Sequence, residues 1–358
     1  MISIRGRKAF TLVELMIVMA IVVVLSGMMA VAIGSASESA KVSATRATIV
    51  KLHGLVMTQW ESFAHRRLAF QLPASVERPT DFAIIPPPPE VAAQARCDGI
   101  RLLMRMEMPE RWSDISAGGT DGAAGRINLW YDPIKRVPYA SATEPGQLAN
   151  ASVAPSAISA SYQQFFLSVS STAGFETNGY NHQGAKCLYL FLTMGLEEPD
   201  VMENFSAGET ADVDGSGCRC FVDAWGNPIE FLRWAPGYKS ALQPSVPTDP
   251  DQTDPTGVYG SPNPPAGVAQ TFALYPLIYS AGPDGYYDIV NEEDSPNTLI
   301  YSDTGIYNNP YYSMGGAASV YFSQGAVGTP AIQPVTDQAT GRQIGNADNI
   351  DNHSLGAH

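Results

Sequence analysis

Charge is scarce in this chain, and positive charge is the scarcest. Asp, Glu, Lys and Arg make up 16% of its 358 residues, against roughly 25% in an ordinary soluble domain. Lys and Arg total 21 against 35 Asp and Glu, a net charge of −14. A nucleic-acid binder needs a basic footprint to neutralise phosphates, so that class is excluded. Docking on anionic lipid by surface charge alone is excluded on the same ground. Histidine is rarer still, at 5 residues. His53 and His65 fall in a helical pattern and His353 and His358 in the tail. His182 alone remains, and it reads as a cap or core residue rather than a base. No G-x-S-x-G, no H-E-x-x-H and no phosphate-binding glycine loop occurs. The acids sit in Gly-rich loops and read as solvated or metal-bound, not as a buried catalytic pair. These absences argue against an enzyme.

What the chain does have is 45% hydrophobic residues, enough for a core, with 32 Gly and 27 Pro for turns and long loops. It also has one long apolar run. Arg5, Arg7 and Lys8 are the only charges among the first nine residues, and Phe10 to Ile33 follows, 24 residues with one charge, Glu14. As a helix this run spans about 36 Å, more than a bilayer core of about 30 Å. The basic flank places residues 1–9 in the cytoplasm and the chain after Ile33 outside. A cleaved secretory signal and a plain signal anchor also fit, and Ala30-Val31-Ala32 resembles a signal cleavage site. Neither accounts for Glu14. A carboxylate in a membrane helix costs about 2.5–3.5 kcal/mol on insertion scales and is as a rule paired and functional.

The string Lys8-Ala9-Phe10-Thr11-Leu12-Val13-Glu14-Leu15, ahead of the apolar run, resembles the amino terminus of type IV pilins and type II secretion pseudopilins. The resemblance implies a prepilin peptidase that cuts between Ala9 and Phe10 and methylates the new amine of Phe10. Ala9, the next smallest residue, stands where the family usually has Gly. The resemblance also implies that Glu14, the fifth mature residue, serves assembly at an inner-membrane platform. A carboxylate in lipid needs a cation, and a neighbouring subunit's Phe10 amine lies at the same depth. Pairing the two offsets desolvation and sets the axial register. Cleavage would remove three of the 21 basic residues, leaving 18 against 35 acids, or −17.

After Ile33 the pattern stays helical but turns amphipathic, with Ile49, Leu52, Val56, Trp60 and Phe63 recurring every three or four residues. With no Pro before Pro73, this predicts one helix over roughly residues 10–71. The expected organisation is a leader at 1–9, a transmembrane and polymerisation helix at 10–33 and its amphipathic continuation at 34–72. A Pro-rich connection at 73–110 carries a short helix from Val91 to Met108. A globular head at 111–310 and a Gly/Ala/Asn-rich tail at 311–358 complete the chain. From Trp112 onward, aromatic and β-branched runs between turn residues read as an antiparallel sheet with long loops. Asn181 to Met194 reads as a helix capped by Asn181 and stopped by Gly195. Pro228 to Trp234 and Phe272 to Ser280 read as strands, 244–265 as a surface loop, and the last forty residues as edge or tail. The fold class is α+β and pilin-like, a long N-terminal helix packed on an antiparallel sheet head.

Asp223-Ala224-Trp225-Gly226-Asn227-Pro228 resembles a turn of major pseudopilins. Gly226 and Asn227 suit a left-handed backbone, and Trp225 is large enough to anchor the loop on the helix. Tyr279-Ser280-Ala281-Gly282-Pro283-Asp284-Gly285 resembles the same family's calcium-binding loop. The resemblance implies Ser280 and Asp284 as first ligands, then Asp288 and Asp294. Calcium takes six to eight oxygens, which such residues supply. Asp212-Val213-Asp214-Gly215-Ser216-Gly217 matches the first half of an EF-hand loop, with Asp223 at its twelfth position. Asp212, Asp214 and Ser216 are therefore further calcium candidates, although Arg219 and Cys220 depart from that pattern; a polar turn is the alternative. Cys97, Cys187, Cys218 and Cys220 would lie in a compartment that permits disulfides. Four cysteines allow three pairings, and a Cys218–Cys220 ring would be strained, which favours long-range pairs. Zinc by four cysteines lacks a C-x-x-C pair.

These readings imply a pseudopilin-like structural subunit of a type II secretion pseudopilus, polymerising with homologous spines. It would be single-pass in a bacterial inner membrane, with its head in the periplasm and calcium as its one candidate cofactor. A type IV pilus subunit for adhesion or motility is the runner-up, and a membrane-anchored envelope enzyme ranks below both.

Overall fold

No proline interrupts the chain before Pro73, and one helix, α1 (Leu12–Ala64), takes 53 residues of a computed structural model of the protein. The structure describes residues 12–68, 89–116, 156–196, 201–235, 238, 240, 242–243, 251–254, 273–287, 289 and 348–355, with strand backbones at 76–77, 84–85, 126–132, 137–138, 147–152, 335–336 and 343–344. The helix ends at Ala64, short of residue 71, and tertiary partners account for the early stop. Arg66 N–H closes a turn onto Phe63 O, and Arg96 Nη2 donates to Ala64 O. The Arg66 guanidinium itself bonds Glu107, with Nη2 3.0 Å from Oε1.

Glu107 ends α2 (Pro89–Glu107), in which Pro89 takes the first helical position, where its missing N–H costs nothing. Four shorter helices follow: α3 (Trp112–Ser116), α4 (Ala157–Val169), α5 (Ala173–Asn178) and α6 (Gln183–Leu190). The stretch after Trp112 thus holds more helix than the expected sheet with loops. Its start signals are local. Ser156 Oγ accepts from Ser159 N–H and Thr172 Oγ1 from Phe175 N–H, each an N-cap. Aromatic residues of the stretch that suggested strands instead meet between three helices, where Phe166 and Phe175 pack on Trp112 at ring distances of 5.5 and 5.4 Å. The cap of α6 also differs from expectation. His182, not Asn181, takes the N-cap position, at a left-handed φ of 52°. The helix then widens into a π-turn, Phe191–Gly195, and stops at the expected glycine.

The strands are β1 (Val76–Glu77), β2 (Ile84–Ile85), β3 (Arg126–Asp132), β4 (Val137–Pro138), β5 (Gln147–Ser152), β6 (Thr210–Ala211), β7 (Cys220–Phe221), β8 (Ile229–Leu232), β9 (Leu277–Ser280), β10 (Val335–Thr336), β11 (Gln343–Ile344) and β12 (Ile350–Asp351). All of their pairings are antiparallel. The sheet that organises the head has the order β12-β9-β8, with Ile229 and Ile350 both opposite Ser280. Every residue of β8 and β9 is buried, because α1 packs along β9 and β12 while α6 packs on β8. Both strands are shorter than expected.

The core follows from the spacing on α1. Ile49, Leu52, Val56, Trp60 and Phe63 are buried against Ile100 and Met104 of α2 and Phe231, Leu277 and Ile278 of the sheet. The chain end belongs to this core as an edge strand, not a loose tail. Asn352 Nδ2 donates to His53 Nδ1 of α1 at 3.0 Å and to Pro276 O at 2.9 Å, while its Oδ1 accepts from Ile278 N–H. His353 Nε2 donates to Pro276 O at 3.1 Å, and its Nδ1 accepts from Ser240 Oγ at 2.9 Å.

Burial lowers the pKa of His353 from 6.5 to about 4, against the opposing pull of the nearby Asp351 carboxylate; His53 adds to the lowering, and Tyr238 stacks edge-on at 5.3 Å. His53 is lowered by burial as well. The unfolded chain therefore takes up these protons first. The contribution is complete above pH 6.5 and is lost as pH falls toward 4, by up to about 3 kcal/mol for His353. Urea unfolding of the full chain in detergent should show this decline, and His353→Gln, which keeps a neutral donor and acceptor, should flatten it. An identical pH profile in the variant would contradict the assignment.

Candidate functional site

Residues 12–40 of α1 are all exposed, including every large apolar side chain from Leu12 to Ile33. By length and composition the helix is able to cross a membrane. Within it, Ser26 Oγ donates to Val22 O at 2.7 Å. Glu14 lies in the first turn, where a negative charge complements the helix dipole. Ala9 and Phe10 lie outside the described residues.

Among the described residues, the head first meets α1 at the turn 223–228. Asp223 shapes this turn with its side chain, Oδ1 accepting from Trp225 N–H and Asn227 N–H at 2.9 and 2.8 Å. Gly226 takes a φ of +94°, which only glycine adopts freely. Trp225 Nε1 donates to Glu38 Oε2 at 2.9 Å, Lys41 Nζ lies 5.9 Å from its ring, and Ala224 N–H donates to Thr45 Oγ1. The tryptophan thus anchors the loop on the long helix, as its size suggested. A second clamp lies one turn further along. Glu209 Oε1 accepts from Thr48 Oγ1 at 2.6 Å and from Lys51 Nζ at 2.9 Å. Partial burial opposes the Glu209 charge, but these donors and Ser206 outweigh it and lower its pKa to about 2.

The same Asp223 ties the turn to the second loop. Its Oδ2 accepts from Ser280 Oγ at 2.7 Å, and Asn227 Nδ2 donates to Gly282 O at 3.0 Å. Ser280 is fully buried. Asp284 Oδ1 accepts from Tyr286 N–H at 2.9 Å, whereas its buried Oδ2 has no hydrogen-bond partner. Asn349 Oδ1, from the segment whose Nδ2 bonds Tyr287 O, is likewise buried and without a partner. Asp288 and Asp294 lie outside the described residues. Among the described residues no three His, Cys, Asp or Glu side chains gather closely enough to hold a metal ion.

The loop 212–217 is arranged differently. Asp212 Oδ2 accepts from Gly217 N–H and Asp214 Oδ1 from Ser216 N–H, with Gly215 and Gly217 at φ of +71° and +82°. Asp214 Oδ2 sits 2.6 Å from Lys186 Nζ, whose ammonium also donates to Asn178 O and Gly179 O. Lys186, on α6, is fully buried. Partial burial opposes the charged Asp214, but the bonds from Lys186 and Ser216 prevail and lower its pKa. The loop therefore carries a cation of its own.

Other buried charges escaped the sequence reading. Asp114 is fully buried and meets Arg233 Nη1 at 3.0 Å and Arg105 Nε at 3.1 Å. Burial disfavours its charge, but Arg233, Arg105 and Arg111 hold its carboxyl below the usual carboxylate range. Arg101 pairs with Asp251 at 2.7 Å. The one legible signal was the density of charge from Arg101 to Asp114 within an apolar stretch. His182 Nδ1 lies 2.7 Å from Glu230 Oε1, so this histidine, at the N-cap position of α6, is bound into the head. All four cysteines are buried and none is in a disulfide, so the anticipated long-range bridges are not formed. Burial raises Cys218 to about 11 and Cys220 to about 12, which keeps both protonated and unreactive.

Lys186→Met should cost about 2–3 kcal/mol, because it strips a charged hydrogen-bond donor from one carboxylate and two carbonyls. Thermal unfolding of the full chain would register it. A change within 0.5 kcal/mol, the range of an ordinary surface substitution, would show that the ammonium does not hold this loop.

Residues 4–30 match the family model described as the prokaryotic N-terminal methylation motif. Searches of curated proteins and of solved structures each returned no match. The matched segment covers the basic flank, Ala9-Phe10, Glu14 and most of the exposed apolar half of α1. The chain therefore carries, at residues 4–30, the signature of type IV pilin and pseudopilin precursors.

Proposed function

We propose that this protein is a structural subunit of a type II secretion pseudopilus. Residues 10–33 hold it in a bacterial inner membrane with the head in the periplasm. Prepilin peptidase cuts between Ala9 and Phe10 and methylates Phe10, and the mature chain polymerises with homologous subunits at an inner-membrane assembly platform. The observation that carries this reading is the exposed apolar half of α1 with its single carboxylate, lying within the matched methylation motif. Such a surface is stable only in lipid or among like helices. In the polymer, the Glu14 carboxylate takes the Phe10 ammonium of an adjacent copy, which offsets the cost of its burial and sets the rise between subunits. The methylation motif marks structural subunits, which weighs against an enzyme. Type IV pilus and secretion filament share all of this. The turn 223–228, with its pseudopilin-like Trp225 and Pro228, favours secretion; recovery of the protein in sheared extracellular filaments would favour the pilus.

Glu14→Ala should be inserted, cut and methylated like the native chain, with mass spectrometry finding methylated Phe10 as the first residue of both. The variant should be missing from assembled filaments. Native protein that begins at Met1 or after Ala32, or a variant that assembles normally, would refute the reading.

We also propose calcium at the loop that begins at Ser280. Support comes from two buried oxygens without donors, Asp284 Oδ2 and Asn349 Oδ1. A hard cation satisfies such oxygens directly. Asp284 and Asn349 would hold it, with Asp288 and Asp294 as further donors, and it would tie the chain end to the loop. The loop at Asp212, Asp214 and Ser216 has Lys186 instead. Millimolar calcium should raise the melting temperature of the full chain, chelator should reverse the gain, and Asp284→Asn should abolish it. An unchanged melting temperature in calcium and in chelator would remove the metal from the proposal.

A further inference from the structure

The turn 223–226 is, among the described residues, the part of the head that meets α1 nearest its apolar half. We infer that this turn rests on the lipid headgroups of the bilayer that α1 enters, with Trp225 as the interfacial side chain and Lys41 beside it. The inference builds on the reading that residues 10–33 span the membrane.

Three observations carry it. First, α1 is continuous from Leu12 to Ala64, so depth is measured along one helix. Glu38 lies five residues beyond Ile33, about 7.5 Å along the axis. A headgroup layer is about 5–7 Å thick on each side of the hydrocarbon. Second, helical side chains lean toward the N-terminus, here toward the membrane. The Glu38 carboxylate therefore sits membrane-ward of its own Cα, and it is this oxygen that Trp225 Nε1 bonds at 2.9 Å. The indole is thereby held at the outer face of the bilayer. Third, the turn offers what that layer accepts. Trp225 is half-exposed, Ala224 and Gly226 are exposed, and the ammonium of Lys41 lies 5.9 Å from the indole ring. Exposed Arg46 lies about a turn above. Tryptophan collects at membrane interfaces because its ring is apolar and its N–H is polar, and basic side chains beside it reach lipid phosphates. The overall negative charge of the chain does not oppose this, since contact is confined to one turn beside Lys41, Arg46 and a single exposed carboxylate, Glu38, which sum to +1. Lipid is favoured over a neighbouring subunit as the occupant because the turn packs on α1 at Glu38, just beyond the spanning segment, and so lies beside the headgroups before any assembly.

The contact would set the tilt of the head while the subunit waits in the membrane, and its release would accompany extraction into a filament. The full chain reconstituted in vesicles of phosphatidylethanolamine and phosphatidylglycerol tests this with nitroxide-labelled lipids. The emission lost in Trp225→Phe defines the Trp225 component. A headgroup nitroxide should quench that component more strongly than a mid-chain nitroxide does. Ala224→Cys carrying a polarity-sensitive dye reads the same contact without altering the indole, since the four native thiols are buried. Its emission should shift to the blue on reconstitution. A protein that floats with vesicles and resists alkaline extraction, yet shows neither quenching nor shift, overturns this inference alone. A shift that arises only on assembly assigns the turn to a neighbouring subunit and also overturns it. Failure to float refutes the membrane reading beneath it.

Discussion

A helix that is apolar on every side for more than twenty residues has no stable place in water, and the rest of this molecule is organised around that fact. The exposed stretch from Leu12 to Ile33 gains its stability from an environment the isolated chain does not supply. The head takes none of it. Burial on α1 begins at Thr45 and continues through Phe63, on one stripe only. One continuous element thus serves two environments, and the boundary between them is a change of pattern, not a break in the backbone. The carboxylate at Glu14 is tolerable for the same reason that it is informative: a charge in oil is retained only where a partner meets it.

The head is built by a chain with few cations, and it uses several of them inside. Arg101, Lys186 and Arg233 are buried, each against at least one carboxylate, and Arg66 closes onto Glu107. Such pairs contribute little net stability over apolar packing, but removal of one partner is costly, so they act mainly to specify which segments meet. Asp114 joins α2 and α3 to Arg233 more than a hundred residues on, and Lys186 joins α6 to the loop 212–217.

Two loops of similar composition show how partners decide chemistry. Asp214 and Asp284 both lie in Gly-rich turns. Asp214 meets a buried ammonium; Asp284 keeps one buried oxygen without a donor. The turn 223–228 connects that second loop to the spine, because Asp223 bonds Ser280 while Trp225 bonds Glu38. The loop at Ser280 is thus linked through the turn to α1 at Glu38.

The long helix, its apolar and amphipathic halves, the place of Glu14, the glycine stop after α6 and the anchoring role of Trp225 were legible in the sequence. Each rests on local chemistry: periodicity, the absence of proline, or a side chain large enough to reach its neighbour. The early end of α1 was not legible, because it depends on Arg66 finding Glu107 some forty residues on. The helices at 112–116 and 157–178 were misread because aromatic runs fit a strand or a helical stripe equally until their partners are known. The pairing of Lys186 with Asp214, the enclosure of His353 and the four buried thiols belong to the tertiary structure alone. Burial and charge neutralisation are properties of which segments come together, and a linear pattern holds no information on an encounter between residues tens of positions apart.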